Sequence, residues 1–402
     1  MSFLRLESQL SWWQWLAFTI VGTLLLVVGL WLNWEVPILS PVNEQSIFRF
    51  LQNQEPATSS GKIVYGFVPY WTMSTTTIQP ELTHLGYFAL DIMPNGAIRT
   101  RTSDGGTEPG FLRLGTDDWF SMLNLHGKQT DLVFTQFNND DITAFVTNPE
   151  AHKKFIESLD NLLLAYPITG VNIDIEYSGK VTDSVRNGLT DFMQTLNTHL
   201  KSRYQNIDLS IDVYAGAGTG RTIWDIPALE PHTDYFVVMA YDFHRRQSPL
   251  AGPVAPLFGG KDYWDTDISV QLQAFLENVP NEKILLGVPF YGYEWQTTSR
   301  DSQAHTFPDT GSTATFNRVQ SLLAEKELYK VEEHWNEAAL SPYISYEKDG
   351  NLYVVYYENS RSLSYKLDYV NQLDLAGIAI WALGYEGDSR ELWEIIQRKI
   401  AK

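Results

Sequence analysis

The segment Gly170-Val-Asn-Ile-Asp-Ile-Glu-Tyr177 holds residue types at a spacing suited to acid–base chemistry. Side chains alternate along a strand, so Val171, Ile173 and Ile175 take one face and Asn172, Asp174 and Glu176 the other. Two carboxyls turned into a protein interior are costly. They do not both ionise readily, so one proton is shared and one pKa rises. A glutamic acid that keeps its proton near neutral pH serves as a general acid. On an isolated edge strand the same pattern would be no more than a solvated acidic face. The reading therefore depends on the elements that position the strand.

Those elements have a rhythm. Short apolar runs occur at Ile63–Val68, Leu82–Leu90, Leu132–Phe137, Val171–Glu176, Ile207–Tyr214, Tyr235–Tyr241, Ile284–Phe290 and Gly377–Ala382. Helical stripes lie between several of them: Val181, Val185, Leu189, Phe192, Met193, Leu196 and Leu200, and later Ile268, Leu272 and Phe275. Strands alternating with helices in this number predict an α/β fold, a (β/α)₈ TIM barrel. No Gly-x-Gly-x-x-Gly turn follows the first run, as an open nucleotide-binding sheet would show. The segment at about 296–360 breaks the rhythm, with a helix-like Val319–Lys330 and strand-like Pro342–Glu347 and Leu352–Tyr357. It is too long for an ordinary loop and reads as a small α+β insertion between strands seven and eight. Glu176 would then stand at the C-terminal mouth of the fourth strand, where such barrels place catalysis.

Composition narrows the function. The chain has 402 residues, 44% hydrophobic and 19% charged, which suits a folded protein and not extended disorder. Its 48 acidic and 29 basic residues give a net charge of −19, so no nucleic-acid partner is expected. There is no cysteine, which removes disulfides, thiol nucleophiles and cysteine-held metals. The eight histidines show no His-x-x-x-His pairing, and neither a metal nor a cofactor is expected.

The N-terminus carries a separate message. No charged residue occurs between Glu7 and Glu35, and the stretch has Trp12, Trp13 and Trp15 at one end and Trp31 and Trp34 at the other. A helix from Trp13 to Trp34 would be roughly 31 Å long, matching a bilayer core, and indole belts mark both interfaces. The run ends without an Ala-x-Ala cleavage pattern, so residues 1–34 read as a retained transmembrane signal anchor. Arg5 precedes it, and the next basic residue after it is Arg49, which predicts a single-pass cell-membrane protein with its C-terminal part outside. Residues 35–61, with Pro37, Pro41, Pro56 and Thr58-Ser-Ser-Gly61, read as a stalk, and 62–402 as the folded part.

The segment around Glu176 resembles the Asp-Gly-x-Asp-x-Asp-x-Glu signature of glycoside hydrolase family 18. That family includes chitinases, endo-N-acetylglucosaminidases, spore-germination glucosaminidases and inactive lectin-like members. Phe67-Val-Pro-Tyr-Trp71 resembles its first strand and Met239-Ala-Tyr-Asp242 its sixth. Gly287-Val-Pro-Phe-Tyr-Gly292 resembles its seventh and Gly377-Ile-Ala-Ile-Trp381 its eighth. The resemblance covers about 62–402 and implies retaining hydrolysis of β-1,4 bonds in N-acetylglucosamine polymers, chitin-like or peptidoglycan, with the substrate's acetamido oxygen as nucleophile.

The resemblance also implies roles. Glu176 would protonate the leaving oxygen, Asp174 would hold the acetamido N–H, and Tyr241 would bond the acetamido oxygen. Trp381 would floor the sugar site. Asp242, Asn172, Tyr70, Trp71 and Tyr291 would be substrate-binding neighbours, and Tyr293 and Trp295 could line the cleft. Two positions depart from the signature: Thr169 replaces its first Asp and Asn172 its second. Asn172 cannot exchange a proton, so Asp174 would face a fixed hydrogen-bond partner. Two alternatives stay open: a non-catalytic sugar-binding barrel, which such relatives reach by losing the Glu present here, and a surface scaffold for a protein partner.

Overall fold

The computed structural model describes residues 61–115, 127–204 and 206–401. The anchor expected at 1–34 and the stalk up to residue 60 lie outside the described residues. Among the described residues no helix is long and apolar enough to cross a membrane.

Seven parallel strands follow in order: β1 (Ile63–Pro69), β2 (His84–Asp91), β3 (Gln129–Gln136), β4 (Gly170–Ile175), β5 (Asp208–Tyr214), β6 (Tyr235–Met239) and β7 (Ile284–Pro289). An insertion follows, with β8 (Tyr291–Thr297), β9 (Ser312–Thr315), β10 (Glu332–Asn336), β11 (Ser341–Lys348) and β12 (Asn351–Tyr356). Then β13 (Gly377–Trp381) closes a barrel in the order β1-β13-β7-β6-β5-β4-β3-β2. The expected (β/α)₈ barrel is the fold observed.

Alternation along the strands produces two cores. Val171, Ile173 and Ile175 of β4 point outward and pack in the layer between barrel and helices. Tyr65, Phe67, Phe88, Val133, Val237, Leu285 and Ala379 form a separate cluster inside the barrel. The inward positions Asp131, Asn172, Asp174, Ser210 and Asp212 are buried beside it.

The helical stripe after β4 becomes α1 (Asp183–Arg203), which buries Val185, Leu189, Phe192, Met193, Leu196 and Leu200. Val181 is left out of the helix because Thr182 is the N-cap, its side chain accepting from the Val185 N–H. Asp183 in the first turn and Lys201 and Arg203 in the last complement the helix dipole. Phe192 packs edge-on against Phe145 with ring centroids 4.8 Å apart.

The insertion begins earlier than its composition suggested. β8 follows β7 after one residue and enters an antiparallel sheet in the order β10-β11-β12-β8-β9. Asp349 and Gly350 link β11 and β12 with φ of 53° and 77°, the two-residue Asp-Gly hairpin turn. The helix-like stretch divides into α2 (Phe316–Ala324) and a single turn at Lys326–Tyr329.

Candidate active site

The C-terminal ends of the barrel strands enclose a cleft of about 360 Å³. Asp174, Glu176, Asp212, Tyr214, Tyr241, Asp242, Tyr291, Trp381, Trp71, Phe88, Phe137, Met239 and Arg245 line it.

Glu176 stands one residue past β4, its N–H bonded to the Gln136 carbonyl, so β3 fixes the point where the chain leaves the sheet. Its Oε2 accepts a 2.5 Å hydrogen bond from the Tyr214 hydroxyl. Burial pushes its pKa up. The Tyr214 bond pulls it down, the charge of Asp242 raises it and that of Arg245 lowers it, leaving it above the usual carboxylate range. Two residues deeper, Asp174 is held well above that range by burial and then by the charges of Asp212 and Glu176. Glu176 is a half-buried carboxyl with a raised pKa, and Asp174 a buried carboxyl beneath it.

Tyr241 follows β6 and is shaped by its neighbour across the sheet. A Cβ on Gly287 would stand 2.6 Å from the Val238 carbonyl and 3.0 Å from the Tyr241 ring, so only glycine leaves room there. Burial and four surrounding acids keep the Tyr241 phenol protonated and able to donate. Asp242, with φ of 63°, turns its carboxylate back to accept from both the Tyr291 and Tyr293 hydroxyls, the latter at 2.8 Å. Trp381 ends β13 and meets Phe88 edge-on, with centroids 4.6 Å apart. Trp71 is 51% exposed at the rim and leans on Phe88.

The structure brings Glu176, Asp174, Tyr241, Asp242, Trp71, Tyr291 and Trp381 into one cleft. Four expected residues stand outside that lining, the first being Tyr293, which is buried with its hydroxyl donating to Asp242. Asn172 is fully buried and its amide donates to Ser210 Oγ at 2.9 Å and Asp212 Oδ1 at 2.8 Å, so its amide nitrogen is taken up by β5. Tyr70 packs edge-on behind Trp71 at 4.9 Å without lining the cleft. Trp295 is fully buried, with its indole N–H on the carbonyls of Arg245 and Arg246.

Asp212 and Tyr214 were missed by the sequence reading. Their signal was present, since Asp208, Ser210, Asp212 and Tyr214 alternate with apolar residues as the polar positions of β4 do. Phe137 stands one residue past β3, at the end of the run Leu132–Phe137, while Arg245 comes from the loop after β6 and carries no periodic signal. Among the described residues no cluster of His, Cys, Asp and Glu could hold a metal ion.

A closed parallel barrel with a buried carboxyl pair and aromatic side chains lining its C-terminal mouth is the arrangement of a TIM-barrel hydrolase of the glycosidase type. The chain belongs to glycosyl hydrolases family 18, whose model matches residues 65–386. It is 25% identical to a Bacillus subtilis protein described as a sporulation-specific glycosylase, over 76% of this chain and 66% of that one. With chitinase B of Serratia marcescens it shares 23% identity over 85% of this chain and 84% of that one. The structure of the Ostrinia furnacalis group IV chitinase in complex with allosamidin superposes with a TM-score of 0.72 at 21% identity, over 84% of this chain and 97% of that one. The chain thus spans about two thirds of the sporulation glycosylase, and the likeness to the insect chitinase concerns the fold.

Proposed function

We propose that this glycoside hydrolase cleaves β-1,4 bonds next to N-acetylglucosamine, in chitin-like oligomers or peptidoglycan, by substrate-assisted retention. The observation that carries this reading is the stacking of Glu176 and Asp174 on consecutive inward positions, with Tyr241 in the same cleft. Glu176 protonates the glycosidic oxygen, and the substrate's acetamido oxygen bonds to the anomeric carbon as the C–O bond breaks. Asp174 faces the resulting cation, Tyr241 donates to the acetamido oxygen, and Trp381 supports the ring. Water, deprotonated by Glu176, then opens the intermediate with net retention.

The test is to incubate the protein with chito-oligosaccharides and with purified peptidoglycan and identify new reducing ends. Cleavage next to N-acetylglucosamine, with β-anomeric products and an inert 2-hydroxy analogue, is the expected result. Cleavage of plain glucosides or α-anomeric products would overturn substrate assistance. Binding without cleavage would make the barrel a lectin.

The charge-free stretch with its tryptophan belts supports a second proposal: residues 1–34 anchor the enzyme in the cell membrane, with the barrel on the outer side.

A further inference from the structure

Asn172 removes an ionisable group from β4, and the structure has one on the neighbouring strand. The β4–β5 register pairs Asn172 with Ser210 and Ile173 with Ile211, so the next residues along the two strands are Asp174 and Asp212. Both are inward and 3% exposed, and adjacent strands are about 4.8 Å apart. One layer below, the Asn172 amide bonds Ser210 and Asp212 and so fixes the orientation of the Asp212 carboxyl. Two oxygens are left buried without a partner, Asn172 Oδ1 and Asp174 Oδ1, on consecutive inward positions of β4. A site in this state lacks a donor, and a proton on the acid pair supplies it.

We propose that Asp212 is a positioning residue that shares one proton with Asp174 and takes it while the substrate is cationic. This rests on the glycosidase reading above. In the resting site the proton is on Asp174, and Asp212 is the carboxylate that accepts from Asn172. As Glu176 protonates the leaving oxygen and the acetamido oxygen bonds to carbon, Asp174 passes its proton to Asp212 and faces the cation as a carboxylate. When water adds and Glu176 recovers a proton, the shared proton returns to Asp174. The pair carries one negative charge throughout, and no other reactant is needed. Electrostatics supports the exchange: after burial, Asp212 is the foremost charge raising the Asp174 pKa. The groups facing the pair are Glu176 just past β4, Tyr65 on β1, Tyr214 at the end of β5 and Tyr241 after β6, with Asp242 and Arg245 reaching it through Glu176.

The test uses the full chain, Asp212→Asn, and the exchange variant Asn172→Asp with Asp212→Asn. In Asp212→Asn, kcat on an N-acetylglucosamine oligomer should fall by roughly 10²-fold with KM within about threefold, and the pH profile should change shape. The exchange variant, which restores an ionisable partner, should regain about tenfold. A wild-type kcat and profile in Asp212→Asn, or a loss that the exchange variant does not recover, overturns the proposal. The second measurement needs no turnover: ¹³C NMR titration of the aspartate carboxyls. In wild type, Asp174 and Asp212 should titrate in two linked steps, and in Asp212→Asn the Asp174 midpoint should fall by more than about one pH unit. Independent titration of the two groups, or an unmoved Asp174, overturns the shared proton. Absence of turnover in wild type with linked titration would refute the glycosidase reading alone.

Discussion

The Tyr214 hydroxyl donates a 2.5 Å hydrogen bond to Glu176 Oε2, joining the last residue of β5 to the first residue past β4. The bond favours the ionised carboxyl, so it opposes the burial that raises the Glu176 pKa. Removing it in Tyr214→Phe should raise the Glu176 pKa and move the alkaline limb of kcat/KM upward by about one pH unit, the size of one hydrogen bond to a charged group. A pH–rate series checks this. A downward shift would contradict the arrangement.

Arg245 acts on the same group from the rim, and it is exposed. In Arg245→Gln the alkaline limb should also move upward, by less than in Tyr214→Phe. The difference from wild type should vanish in about 1 M salt, where the Debye length is ~3 Å. A shift that persists at high salt would mean that Arg245 acts by contact and not by its field.

Asp131 sits inside the barrel, away from the cleft, and burial followed by the charge of Asp208 pushes its pKa up to about 8. An acid whose pKa is raised on folding binds more protons in the native state than in the unfolded one. Stability therefore falls as pH rises from about 4, the ordinary aspartate value, to about 8. Asp131→Asn should remove this dependence, giving a Tm gain that grows across that window and levels off above it. Thermal melts at a series of pH values test it, and a gain that shrinks with rising pH would contradict the assignment.

Much of the site was legible because it is local. Asn172, Asp174 and Glu176 follow from alternation within one strand, and Trp381 from its place at the end of the last run. What escaped depends on pairing between strands. The β5 alternation was visible, yet nothing in β5 alone says that Ser210 stands beside Asn172; the register of two distant segments decides that. The burial of Asn172 against β5 follows from that register. The start of the insertion at Tyr291 was hidden for a related reason. β7 and β8 are one residue apart and both largely buried, with aromatic residues running through the join, so hydrophobicity alone does not show where the chain leaves the barrel.

The anchor proposal makes a cellular prediction. The full chain should stay with the membrane fraction after carbonate extraction, and protease added from outside should release a fragment that begins between about residues 35 and 61. A mature N-terminus near Ser40 found in the medium would show cleavage instead of anchoring.

Glu176→Gln bears most directly on the central claim that Glu176 is the proton donor of the reaction. Glutamine keeps the shape of the side chain and can still be bonded by Tyr214, but it has no proton to give to a leaving oxygen. Hydrolysis of an N-acetylglucosamine oligomer should fall by about 10²- to 10⁴-fold, while calorimetry shows the same oligomer still bound with near-native affinity. A Glu176→Gln enzyme that turns over within about tenfold of wild type would contradict the account.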